Sequence, residues 1–139
     1  MSNGLDVALM NDPYAEWSPE AGDRHTDIAF SDPEWGSFFF DTLGVPEPTY
    51  IESEDYESRV AREVAAFSEA LNVFPLLARV HHFYDDAHFA KDEIRPLREE
   101  LQRAGELRMD DLARAFWKGM LEACDAAESA NLGISLLSS

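Results

Sequence analysis

The chain has 139 residues, 45% of them hydrophobic and 12% aromatic, enough to bury one sizeable core. Its 28 Asp and Glu stand against 11 Lys and Arg, a formal net charge of −17 that repels phosphate backbones and anionic bilayers alike. Direct nucleic-acid binding and membrane association are therefore not expected, and a basic protein is the partner such a field steers.

The same charge also has a plain reading, as a solubilising surface. One cysteine, Cys124, excludes an intrachain disulfide. The start MSNGLDVALMNDPY carries neither a cationic n-region nor an apolar core of signal-peptide length, so a cytoplasmic site of action is expected. The whole chain, 1–139, reads as one domain. It comprises an acidic part of mixed strand, loop and short helix over 1–50, a helical part over 53–130 and a closing strand over 132–138. Acidity is concentrated early: residues 1–60 hold two cations against fourteen anions, a balance of −12.

In chain order, LDVALM and TDIAF alternate well enough for strands. Trp17 in YAEWSPE and Trp35 in DPEWGS sit among acids. Each is a candidate anchor for a partner, although a lone Trp commonly packs its own fold. In SDPEWGSFFFDTLGVP the triple Phe suggests a strand. However, Ser31 with Glu34 forms a capping box, Pro33 suits a first turn, and Gly44 then Pro46 read as a stop, so a short helix is favoured.

The densest acidic stretch is PEPTYIESEDYESR, where Glu47, Glu52, Glu54, Asp55 and Glu57 surround Tyr50 and Tyr56. Rings supply buried area with a polar tip and acids select a basic partner, which suits an interface. Acids at a helix N-terminus also complement its dipole without any partner. A helix does follow, from Glu54 to about Leu71, with Ser53 as N-cap and Val60, Val64, Phe67 and Leu71 as its apolar stripe.

A second helix is predicted from Pro75, with Leu76, Val80 and Phe83 or Tyr84 facing inward. A third spans about 93–104, with Asp92 as N-cap and Gly105 taking a left-handed turn after it. A fourth opens at Asp110 and Asp111 and runs to about Ser129. Its stripe is Leu112, Phe116, Met120, Ala123 and Ala127, widened by Trp117 and Leu121. LGISLLS then supplies a third strand. Strands and helices together predict an α+β fold, with about four helices against a small sheet.

HHFYDDAHFAKD, residues 81–92, would place His81, Asp85, His88 and Asp92 on one helix face, a set of metal-ligating types. Pro96 must lie within a first turn, which breaks that helix between Asp85 and Asp92 and dissolves the spacing. The stretch is better read as a helix end and an acidic turn, and no metal or cofactor is expected. Cys124 lies mid-helix with no activating base and reads as a small buried residue. The glycines are scattered singly, so no phosphate-binding loop can be written, and no serine stands in a nucleophile-elbow context. No catalytic residue is therefore assigned.

The run FYDDAHFAKDEIRPLREELQRA, followed by LARAFWKGMLEACDAAESANLGISLLS, resembles the C-terminal half of small acidic bacterial immunity proteins of polymorphic and contact-dependent toxin systems. The resemblance covers about residues 80–138: acidic turn, helix, long helix, closing strand. It implies a cytoplasmic inhibitor that neutralises a basic toxin domain by covering it. The expected partner-binding residues, drawn from the charge and aromatic pattern, are Glu47, Tyr50, Glu52, Glu54, Asp55, Tyr56, Glu57, Trp17 and Trp35. Two alternatives remain: a nucleic-acid mimic that blocks a DNA- or RNA-binding protein, and a metal-binding protein or enzyme using His81, Asp85 and His88. A homo-oligomer is compatible with all of them.

Overall fold

Both ends of the chain enter one sheet in the computed structural model, which describes residues 4–83 and 85–138. The strands are β1 (Leu5–Met10), β2 (Arg24–Phe30), β3 (Ala87–Phe89) and β4 (Gly133–Ser138), in the order β2-β1-β4-β3 with every neighbour antiparallel. Among the described residues the helices are α1 (Asp32–Gly36), α2 (Tyr56–Ala70), α3 (Ile94–Ala104) and α4 (Asp111–Ala130). The fold is α+β, as the pattern predicts. No helix among the described residues is long and apolar enough to cross a membrane.

The pleat sorts the sheet into two faces. Val7 stands opposite Leu136, Leu9 and Phe89 both stand opposite Ile134, and all of these are buried. This face packs on α4, whose Ala113, Phe116, Met120, Ala123 and Ala127 are fully buried. Phe30 from β2 lies against Phe116 with ring centroids 4.6 Å apart. Burial of the larger side chains among these, Phe30, Phe116 and Met120, is worth about 1.5–3 kcal/mol each, while the alanines let α4 lie close to the sheet. Gly119 permits the approach: a Cβ there would stand 2.4 Å from Cε1 of Phe30.

The other face carries Met10, Ser135 and His88. The Ser135 hydroxyl sits 2.9 Å from Nδ1 of His88 and 3.2 Å from Sδ of Met10. The loop after β1 is tied down by buried Asp23, whose carboxylate accepts from the backbone N–H of Asn11 (2.8 Å) and of Ser18 (2.7 Å).

Within the 31–46 segment the chain is helical from Asp32 to Thr42, and the Ser31–Glu34 capping box forms. α1 widens directly into a π-helical turn, Ser37–Thr42, which turns Phe38 and Phe39 into the core. Gly44 stops it with φ 76°. Several expectations need correction. The cap of α2 is Asp55, whose Oδ1 accepts from Ser58 N–H at 2.7 Å. Ser53 instead takes φ 74°, reversing the chain just before the helix.

The helix expected from Pro75 is a single 3-10 turn, Leu77–Arg79. Its backbone is claimed from outside. The buried Glu100 carboxylate accepts from the N–H groups of Leu76 and Leu77, and the Val80 carbonyl accepts from Trp35 Nε1–H at 3.0 Å. The expected inward residues Val80 and Phe83 are buried, while Tyr84 lies outside the described residues. The helical part is thus interrupted over 72–90, where β3 forms only because it can pair with β4.

Asp92 is exposed and does not cap α3. The Glu93 side chain holds the Ala90 N–H at 2.9 Å and pairs with the Arg79 guanidinium. Gly105 has φ −63°, so it is not left-handed; a Cβ there would meet Trp117 Cζ2 at 2.6 Å. The left-handed residue is Asn131, closing α4 at φ 55°. Leu112 is exposed, because Ala113 takes the inward place in the first turn of α4.

Candidate protein-binding site

Residues 46–57 connect the π-helical turn to α2. Tyr50 is 86% exposed, Ile51 49% and Tyr56 63%. Glu47, Glu52 and Glu57 are exposed around them. Large apolar side chains at such exposure, rimmed by like charge, have the composition of an interaction surface rather than of a core.

Glu54 and Asp55 have internal roles. Arg62 on α2 grips Glu54 with two charge-assisted bonds, Nε to Oε2 at 3.0 Å and a terminal nitrogen to Oε1 at 2.7 Å, and the same nitrogen donates to the Thr49 carbonyl at 2.8 Å. The guanidinium holds the Glu54 carboxyl below its ordinary range. Asp55 is likewise lowered, by the bonds it accepts from Ser58 at the helix start. These two acids shape the loop and leave the others free to face outward.

The tryptophans separate. Trp17 is 39% exposed, and its ring stacks on His25 of β2 at 4.6 Å, placing it with the sheet rather than with Tyr50 and Tyr56. Trp35, expected as an exposed anchor, is only 7% exposed. Its indole is fixed to Val80 and its ring contacts Phe39, Phe40, Phe67 and Phe83. An aromatic cluster of this size outcompetes solvent for the indole.

That cluster floors a cleft of about 550 Å³ beside the loop. Trp35, Phe40, Phe67 and Phe83 supply the apolar surface. Asp32, Glu47, Arg62, Glu63, His81 and His82 line the remainder. Its size and its mixture of apolar floor and converging polar groups are those of a ligand-binding cleft. The walls come from four separate segments, so nothing in local sequence spacing signals it. Glu63 Oε2 lies 3.7 Å from His82 Nε2, and Glu63 Oε1 lies 3.9 Å from Arg59. Burial lowers the pKa of His81, and its Nδ1 is buried without a hydrogen-bond partner among the described residues.

The histidine–aspartate set does not converge. His88 lies on β3, bound to Ser135, while His81 lines the cleft. Among the described residues no three of His, Cys, Asp and Glu stand together as a cation site. Cys124 is buried on α4, with its thiol pushed up to about 12 by desolvation, which leaves it inert as a nucleophile. Compared with family models, with curated proteins and with solved structures, the chain matches none of them.

Proposed function

We propose that the chain is an acidic binding protein that inhibits a basic protein partner by covering it, in the manner of an immunity protein acting on a toxin domain in the cytoplasm. The observation that carries this reading is the outward set Tyr50, Ile51 and Tyr56 with Glu47, Glu52 and Glu57. Among the described residues the side chains of Tyr50, Glu52 and Glu57 make no hydrogen bond or ion pair within the chain, so their exposure serves no internal contact. Rings of this type contribute buried area and slow dissociation, while the acids raise the association rate with a positive partner. Covering requires no bond-making step.

The test is capture from host cells by the tagged chain, run beside the Glu47→Lys, Glu52→Lys, Glu57→Lys variant. These three positions avoid the acids that shape the loop, so the variant keeps its fold. The expected result is a partner with a basic domain that is retained by the wild type and lost by the variant. Equal retention by both, or retention only of neutral and acidic proteins, would overturn the reading.

A further inference from the structure

The cleft next to the loop has a chemistry more specific than general acidity. Phe40, half-buried, gives its floor most of the open aromatic surface, with Trp35 at 7% and Phe67 and Phe83 at 3% exposure beneath it, and Asp32, Glu47 and Glu63 are among the residues that line it. The one guanidinium among the described residues of the lining, Arg62, is already bound to Glu54 and to the Thr49 carbonyl, so its charge is answered from outside the cleft. His81 stays neutral near pH 7 because burial disfavours its charged form, and it adds no positive charge to the rim. Glu63 already has Arg59 at 3.9 Å and His82 at 3.7 Å. These contacts are longer than the 2.7 Å Arg62–Glu54 bond and an incoming guanidinium can share them, so an anionic ligand would face Asp32 and Glu47 with this partly answered third carboxylate. A purely apolar one would strip them of water without replacing their hydrogen bonds.

We infer that the cleft takes an arginine side chain from the basic partner, its guanidinium over the aromatic floor and within reach of the Asp32, Glu47 and Glu63 carboxylates. A guanidinium satisfies both surfaces at once: it is planar and weakly hydrated, it stacks on aromatic faces, and it pairs in a forked geometry with carboxylates. The methylene stem of the same residue covers the apolar wall on entry. Glu47 belongs to both the cleft and the exposed loop, so a segment lying along Tyr50 and Glu52 can deliver its arginine directly. This inference rests on the reading of a basic partner and names the residue that the partner must present.

The experiment uses the full chain, labelled with nitrogen-15, and follows its three tryptophan indole signals during titration with acetyl-Gly-Arg-Gly-amide up to about 10 mM. The expected result is that the Trp35 signal moves while those of Trp17 and Trp117 stay. The same peptide with citrulline, equal in shape and uncharged, should bind at least ~10-fold more weakly. Glu47→Gln and Glu63→Gln should each weaken the arginine peptide, with the remaining backbone signals unchanged as the check on folding. A Trp35 signal that does not move, equal binding of the citrulline or norleucine peptide, or undiminished binding to both Gln variants would overturn the inference. If the arginine peptide fails while the loop reversal still abolishes capture, the cleft assignment alone falls. If the peptide binds as described but capture survives the reversal, which also puts Glu47→Lys into the cleft lining, the partner uses neither the loop acids nor the cleft, and both readings of the partner fall.

Discussion

Glu52, Glu54, Asp55 and Glu57 are four acids within six residues, and only their surroundings tell them apart. Glu54 is locked to Arg62 and Asp55 caps α2, whereas Glu52 and Glu57 face solvent. Reversing all four would confuse loss of binding with loss of loop structure. His81 gives a prediction about pH. Burial lowers its pKa in the fold, so the unfolded chain, with a value of about 6.5, takes up the proton first. The stability contribution is whole above about pH 6.5 and is lost as pH falls through the folded value, since protonation adds a donor at Nδ1, which has no hydrogen-bond partner among the described residues. Denaturant unfolding between about pH 7.5 and 5 should show a steeper loss for wild type than for His81→Gln. Parallel curves would contradict this. Gly119→Ala should destabilise by about 1–3 kcal/mol despite the better helix propensity of alanine, because the new methyl meets the Phe30 ring; an unchanged or raised Tm would contradict it.

At the scale of elements, what could be read in advance was what local chemistry decides. The capping box at Ser31, the run of Phe116, Met120, Ala123 and Ala127, and the alternation in LDVALM each act within a few residues, and each forms. The segment 72–90 was not legible because its backbone is organised by partners far away in sequence. Glu100 holds the amides of Leu76 and Leu77, Trp35 holds the Val80 carbonyl, and β3 exists only as a pairing with β4. The cleft was hidden for the same reason, being assembled from α1, the loop, α2 and residues 81–83. Glu100 offers the direct test of this long-range tether. Burial pushes its carboxyl above the usual range against the pull of the two amides, so its charge is costly to keep. Glu100→Gln retains an acceptor and should be tolerated at pH 7. Glu100→Ala leaves the buried Leu77 N–H and the part-buried Leu76 N–H unpaired and should lose about 1–3 kcal/mol in denaturant unfolding, chiefly from Leu77. Similar losses for both variants would show that the carbonyl acceptor is not what holds the turn.

At the scale of the whole molecule the charge of −17 acts at a distance, while the aromatic side chains act only on contact. These contributions separate in kinetics. Tyr50→Ala with Tyr56→Ala should leave the association rate nearly unchanged and speed dissociation by at least ~10-fold, as loss of buried rings does. A slower association with unchanged dissociation would reverse the assignment of roles. The field of an exposed charge decays with a screening length of ~8 Å at physiological ionic strength, so the acids act mainly on a partner that approaches close to them. The most direct measurement is therefore the association rate of the captured partner with wild type and with the Glu47→Lys, Glu52→Lys, Glu57→Lys variant, at low and at physiological salt. The account predicts a rate that falls at least ~10-fold on reversal at low salt, and a wild-type rate that falls steeply as salt rises. Equal rates for the two proteins, unresponsive to salt, would contradict it.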